Sequence, residues 1–428
     1  MTEPDRKPAS VATTLPFVLS GNVVLLPCSA LDEDVRRRMA FEEGDFLLSH
    51  RHGRTSSQVI DGGTAALLTL FATPRTIADV IAENSRVLGI DPRRRAEEVL
   101  PYLAALVQRG DLVAPGTAEG AELRPQYDDG AIVAGWTIVR CVRVIDDSEV
   151  YEVRNGGGAA ALKIARASTP AVRALFRNET SVLRHLDGSG IAPRPIAAGS
   201  WQGRPYVVME WATGDDALTA AATRRDDRAA LLALCAGIAR AYAALHARGV
   251  VHGDVHPRNI AAAGEVVLLD FGHASIGGRV PRSGRAGVAY FFPPESMATR
   301  RQRPSAAGEQ YALAALLYLM IAGDHYLDFR LGEEEMARQI AGEPPLPFAS
   351  RGAAPWPEVE RILFRALSKD PQQRYPSIAD MAAALATCRA SAAEAARTAA
   401  APASSPADVS GPPPTSREWP SLPRKARA

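Results

Sequence analysis

The sequence predicts an α+β protein in three parts: a winged-helix-like module over residues 15–115, a bilobal enzyme domain over 131–390 and a disordered tail over 391–428. Three observations lead there. The run from Pro115 to Gly130 (PGTAEGAELRPQYDDG) is polar and carries Gly, Pro and Asp, so it reads as a linker, taken as 116–130. From about Ser391 the chain is rich in Ala, Ser and Pro, with too few large apolar side chains to offset the entropy of ordering it. Between the two lies a stretch of about 260 residues, the size of one bilobal enzyme domain. The length of 428 residues fits about three folding units, and no internal repeat is present.

Composition narrows the function. Hydrophobic residues make up 46% and charged residues 23%, enough to bury a sizeable core. Lys plus Arg number 49 against 48 Asp plus Glu, a net charge of +1, which gives no electrostatic case for nucleic acid or an anionic membrane as partner. Cys28, Cys141, Cys235 and Cys388 lie far apart without a C-x-x-C pair, which argues against a disulfide framework or a structural zinc site and fits a reducing, cytoplasmic setting. The first residues, MTEPDRKPAS, do not read as a signal peptide, and the most apolar stretch, Tyr311 to Ala322, is too short to span a bilayer.

The module opens on β-type runs at Phe17 to Leu26, Phe46 to Ser49 and Gln58 to Ile60. Helical spacing follows. Thr64 to Phe71 places Leu67, Leu68 and Phe71 on one face, and Thr76 caps a helix with Ile77, Val80 and Ile81 inward. Asp91-Pro92 is a cap with Pro at the first helical position, opening a helix that runs to Arg109. Gly110 ends it, and Leu112-Val113 returns as a strand. The run ATPRTIADVIAENSRVLGIDPRRRAEEVLPYLAALVQRGDLV, with QVIDGGTAALLTLF before it, resembles the PqqD-like family, which captures leader peptides of ribosomally made natural products. The likeness covers roughly Phe41 to Ala114. It implies that a peptide adds as a strand beside Gln58, Val59 and Ile60 and packs on the outer face of the 92–109 helix. A winged helix that only packs on its neighbour, or one that touches DNA through Arg93-Arg94-Arg95, is the alternative.

In the large domain, phosphoryl transfer needs a cation on the phosphates, carboxylate and amide ligands for Mg²⁺, and a carboxylate beside the attacking hydroxyl. Those residue types occur in order. Lys163 lies in an apolar run (AAALKIA), and sixteen residues on Glu179 sits in a helical stretch (AVRALFRNETSVLRHL) where it can hold the lysine by an ion pair. His252-Gly253-Asp254-Val255-His256-Pro257-Arg258-Asn259 offers a base and, five positions later, a metal ligand on one loop. Leu268-Leu269-Asp270-Phe271-Gly272 is a strand ending in a carboxylate and a Gly turn, a second metal ligand. Together these resemble the eukaryotic-type protein kinase family over about Trp136 to Ala386.

The resemblance implies a bilobal protein-kinase-like fold and further roles. Val150 would close the Gly-rich frame, Met209 would be the gatekeeper, Glu210 and Trp211 would present hinge backbone to adenine, and Asp216 would meet the ribose. Glu295 and Arg374 match the pair that closes the activation segment, a pair that small-molecule phosphotransferases with an H-G-D-x-H-x-x-N loop lack. Departures are equally plain. The three glycine positions of the frame G-x-G-x-x-G-x-V read Arg143, Ile145 and Ser148, so the backbone cannot approach the phosphates as closely. Gly156-Gly157-Gly158 reads as a hairpin turn instead. Gly253 replaces the arginine that would receive an activation-loop phosphate, His256 replaces the loop lysine in the catalytic set, Val288 replaces a threonine, and Glu309 stands where an Asp braces the loop.

The expected function is a Mg-ATP-dependent Ser/Thr protein or peptide kinase that phosphorylates a precursor peptide held by the first module. ATP and Mg²⁺ would be its cofactors, with neither nucleic acid nor membrane as partner, and any elimination or ring closure would fall to separate lyase or cyclase enzymes. The alternatives are a pseudokinase scaffold that binds peptide and partner proteins, and a small-molecule kinase.

Overall fold

The computed structural model describes residues 13–31, 33–36, 41–50, 58–116, 124–145, 147–278, 288–297, 303–330 and 333–399. The first unit contains β1 (Pro16–Leu19), β2 (Val23–Pro27), α1 (Glu33–Arg36), β3 (Phe46–His50), β4 (Gln58–Ile60), α2 (Gly62–Thr69), β5 (Arg75–Thr76), α3 (Ile77–Leu88), α4 (Pro92–Arg109) and β6 (Leu112–Val113). Two small antiparallel sheets, β2-β3-β4 and β5-β1-β6, flank the helices. Leu48, Ile60, Leu67, Leu68, Phe71, Ile77, Val80, Leu103 and Leu106 form one buried cluster.

The run Phe17 to Leu26 is two strands in different sheets rather than one. The Val23 N–H donates to the Ser20 carbonyl at 2.9 Å, turning the chain at Ser20-Gly21-Asn22. The first long helix starts at Gly62 instead of Thr64, because the Asp61 carboxylate accepts from the Thr64 N–H at 2.8 Å and caps it. The caps at Thr76 and Asp91 fall where the residue types put them, and Gly89 and Gly110 end their helices with φ of 66° and 80°.

The second unit begins with a six-stranded antiparallel sheet in the order β11-β12-β10-β9-β8-β7. In chain order its elements are β7 (Ile132–Val133), β8 (Trp136–Val144), β9 (Ser148–Arg154), β10 (Ala159–Ala165), helix α5 (Pro170–His185), β11 (Pro195–Trp201) and β12 (Arg204–Glu210). The glycine triplet is the β9–β10 turn, with Gly156 and Gly158 at positive φ. After β12 come β13 (Asp215–Asp216), α6 (Ala217–Ala222), α7 (Arg228–Ala247), β14 (Val250–Val251), β15 (Ile260–Ala263), β16 (Glu265–Leu268), β17 (Ser275–Ile276), α8 (Ala306–Ala322), α9 (Glu333–Gly342), α10 (Pro357–Ala366) and α11 (Ile378–Ala399). A core built on α7, α8, α10 and α11 fills this helical lobe.

Three sequence expectations shift. Residues 124–130 are not free linker. The Gln126 and Tyr127 N–H groups donate to the Glu149 carboxylate and the Tyr151 hydroxyl, both at 3.3 Å, and the Tyr127 ring meets Tyr151 edge-on at 5.9 Å. The tail does not begin at Ser391 either. The helix α11 continues through Ala399, as suits the strong helix former Ala that dominates SAAEAARTA, while 400–428 lie outside the described residues. Finally, Tyr311 to Ala322 lies in a helix too short to cross a bilayer, as expected, but among the described residues α7, which the sequence reading passed over, is long and apolar enough by length and composition. Its Leu231, Leu232, Cys235, Ile238, Ala239, Tyr242 and Leu245 are spent in the core.

Candidate active site

The sheet register builds one wall of the site. Lys163 pairs with Val150 on one side and Val207 on the other, while Ala161 pairs with Met209 and Glu152. Directly opposed residues in an antiparallel ladder share a face, and so do residues two apart. Val150, Ala161, Lys163, Val207 and Met209 therefore face the same way. Val142 lies at a bulge in β8 opposite Val150 and is 44% exposed. Sequence reasoning passed over it, although an apolar residue just ahead of the first glycine position of the frame was the available signal.

Helix α5 delivers the partner of the lysine. Thr169 caps it, accepting from the Val172 N–H at 3.2 Å, and Pro170 takes the first turn. Glu179 faces inward, 1% exposed, and Lys163 Nζ donates to Glu179 Oε2 at 2.8 Å and to Asp270 Oδ1 at 2.7 Å. Burial by itself disfavours the ammonium, but the two carboxylates more than compensate, so the Lys163 pKa lies above its ordinary value and the side chain stays charged. Asp270 reaches this position with φ of 63°, a left-handed conformation that an Asp tolerates better than most residues.

The loop between β14 and β15 supplies the other groups. Asp254 and Asn259 are 4% and 2% exposed. The Asn259 Nδ2 donates to the Asp254 carbonyl at 3.0 Å and to Asp254 Oδ2 at 3.2 Å, which leaves Asn259 Oδ1 as an acceptor. Leu269 ties the Asp254–Asn259 loop to the Asp270 segment: its N–H donates to the Asn259 carbonyl at 2.8 Å, and its own carbonyl accepts from His252 Nε2 at 2.9 Å. Glu309 of α8 braces the loop from below. It accepts from the N–H groups of His252 at 3.1 Å and Gly253 at 2.7 Å and pairs with His246 at 2.6 Å.

Gly253 is more than a missing arginine. Its φ is 76°, and a Cβ there would stand 2.9 Å from both the His273 carbonyl oxygen and Pro304 Cγ. The loop approaches these neighbours too closely for any side chain.

Other singled-out residues are placed as follows. His256 stays on the loop, but its Nδ1 accepts from the Arg258 N–H at 3.2 Å and its ring meets Phe291 edge-on at 6.3 Å. Asp216 uses both carboxylate oxygens to cap α6, accepting from the Leu218 and Thr219 N–H groups and the Thr219 hydroxyl. Its strand pairing with Ala261 nonetheless sets it beside the catalytic loop's continuation. The Glu210 carboxylate turns to Arg194 at 2.8 Å, and Arg140 lies over the Trp211 ring at 5.6 Å. Val288 packs on the helical core, and the Ile145 N–H donates to the Ser148 carbonyl at 3.0 Å. Arg374, its side chain fully buried, holds Glu295 through two parallel bonds of 2.8 and 2.7 Å.

This donor set fits a nucleotide triphosphate with Mg²⁺. A buried cation is held between two carboxylates, and Asn259 Oδ1 and the Asp270 carboxylate are the hard oxygen donors Mg²⁺ takes.

Residues 146–385 match the family model described as Protein kinase domain. The chain is similar to the serine/threonine-protein kinase Pkn1 of Myxococcus xanthus, 31% identical over 188 residues that span 41% of this chain and 26% of that protein. It is similar to the serine/threonine-protein kinase PknJ of Mycobacterium tuberculosis, 27% identical over 274 residues that span 60% of this chain and 46% of that protein. The chain thus spans less than half the length of these curated relatives. Among solved structures, the kinase domain of PknI from Mycobacterium tuberculosis aligns at 25% identity over 61% of this chain and 99% of that one, with a TM-score of 0.46.

Proposed function

Because the chain belongs to the protein kinase domain family, we propose that it is a Mg-ATP-dependent Ser/Thr kinase acting on a protein or peptide, and that its first module tethers that substrate. The observation that carries the reading is the set formed by Lys163, Glu179 and Asp270 with Asp254 and Asn259 on the adjoining loop. When bound, Mg-ATP supplies the phosphoryl group and neutralises charge on it. Lys163, fixed by Glu179, orients the phosphates, and Asn259 and Asp270 hold the metal. Asp254, itself held by the Asn259 amide, orients the substrate hydroxyl and takes its proton. Catalysis is then mostly positioning and electrostatics. The fixed loop at Gly253 supports a kinase that needs no activation-loop phosphate.

For the first module, β4 supports peptide capture. Among the described residues it pairs with β3 on one side and ends the sheet on the other, leaving an edge to which an extended peptide can add. A tethered substrate gains effective concentration at the active site. We place this kinase in a ribosomal peptide natural-product pathway, working in a reducing compartment, with later elimination or cyclisation by other enzymes.

The test compares, in the full chain, wild type with Val59→Pro, which blocks the β4 edge. Transfer to long precursor peptides should then show a KM raised about tenfold or more, while transfer to short Ser/Thr peptides is unchanged. Equal KM values for both substrates in both proteins would remove the tethering role. Absence of transfer by wild type to every peptide would remove the kinase reading.

A further inference from the structure

Three carbonyls of the turn after Asp270 converge on one side chain that the mechanism above does not use. Asn178 Nδ2 lies 3.2 Å from the Phe271 oxygen, 3.0 Å from the Gly272 oxygen and 2.8 Å from the Ala274 oxygen. Only an N–H₂ group sits stably against three carbonyls, so the amide orientation is unambiguous. Asn178 precedes Glu179 on α5, and Leu175, one turn earlier, covers Gly272: a Cβ on that glycine would stand 3.7 Å from Leu175 Cβ. Positions 175, 178 and 179 are i, i+3 and i+4, one face of the helix. That face therefore holds both ends of the arrangement, Lys163 through Glu179 and the Asp270 turn through Asn178.

We infer that Asn178 is a positioning residue that fixes the Asp270–Ala274 turn against α5 and so keeps the Asp270 carboxylate at Lys163. Its contacts are all to backbone, so it acts on the metal ligand through the turn and not on substrate. It supplies, as a hydrogen-bonded brace from α5, an ordering of this turn that involves no phosphate. The inference deepens the kinase reading and rests on it for its catalytic consequence, whereas the brace itself is a property of the fold.

The test uses the full chain as wild type, Asn178→Asp, Asn178→Ala and Asn178→Gln. Asp is nearly isosteric but brings acceptors to three acceptors. Gln keeps the donor on a longer arm. Hydrogen exchange is read at the Ala274 amide, which donates to the Phe271 carbonyl at 3.1 Å, and phosphotransfer is titrated with Mg²⁺. In Asn178→Asp, Ala274 exchange should rise about tenfold or more, kcat should fall about tenfold and the Mg²⁺ requirement should rise, with peptide KM unchanged. Asn178→Gln should recover part of each loss and Asn178→Ala should fall between Asp and Gln. Unchanged Ala274 exchange in Asn178→Asp overturns the brace. Faster exchange with unchanged kcat and Mg²⁺ dependence overturns the positioning role. If wild type transfers no phosphate, the kinase reading fails while the exchange measurement still decides the brace.

Discussion

Replacing Gly253 tests how tightly the catalytic loop is built. Alanine at this position must hold φ near 76° and place a Cβ 2.9 Å from the His273 carbonyl oxygen and from Pro304 Cγ. The left-handed conformation costs roughly 1–2 kcal/mol for a residue with a Cβ, and forcing an extra methyl into a packed site costs about 1–3 kcal/mol more. Gly253→Ala should therefore destabilise the second unit by roughly 2–5 kcal/mol, which for a domain of this size lowers Tm by roughly 4–20 °C. Gly253→Arg, which restores the residue type common in the family, should be at least as harmful. Calorimetry on the full chain with a parallel transfer assay reads both effects. Pro304→Gly on top of Gly253→Ala should return part of the loss, since it clears one of the two contacts and leaves the backbone strain. A Gly253→Arg protein that melts with wild type and transfers phosphate at the wild-type rate would refute the packing argument.

Three further outcomes follow from the geometry. Burial pushes the Lys369 pKa down to about 8, with Arg374 adding to it and Glu343 opposing. Above pH 8 the folded state sheds this proton while the unfolded chain keeps it until its ordinary pKa of about 10.4, so this site adds stability as pH rises through that window. Lys369→Met should accordingly be about 1 kcal/mol more stable than wild type at pH 7, the partial exposure of the group discounting the effect, and the difference should vanish near pH 10 in urea titrations. Glu309→Ala strips the His252 and Gly253 N–H groups of their acceptor and leaves His246 unpaired; kcat should drop about tenfold to a hundredfold with little change in peptide KM. Glu295→Ala leaves the fully buried Arg374 guanidinium without its carboxylate and should cost about 3–5 kcal/mol in chemical denaturation.

Much of the site was legible because its chemistry leaves fixed residue types at readable spacing. Lys163 ends up against Glu179, the ion pair that the ordered residue types imply, whereas its contact with Asp270 and the bond from Asn259 to Asp254 add to that reading. The helix caps at Thr76 and Asp91 were equally legible, since a cap is a local hydrogen bond written within four residues. What was missed depends on long-range packing. Nothing local marks Asn178, because its three carbonyl partners lie 93 to 96 residues away. Gly253 reads in the sequence as an absent arginine, and only the approach of Pro304 and His273 turns it into a steric requirement. The 124–130 segment looks like linker by composition, yet Tyr127 finds Tyr151, a partner that polarity cannot foretell. The strand run broken at Ser20 failed for the opposite reason: apolar continuity hid a local turn.

The central claim is phosphotransfer by this chain, and intact-mass spectrometry tests it most directly. Wild type and Asp254→Ala are each incubated with Mg-ATP and a pool of Ser/Thr peptides. The account predicts added phosphate, on peptide or on the chain itself, with wild type only. Phosphate in neither sample, or equal phosphate in both, would contradict it.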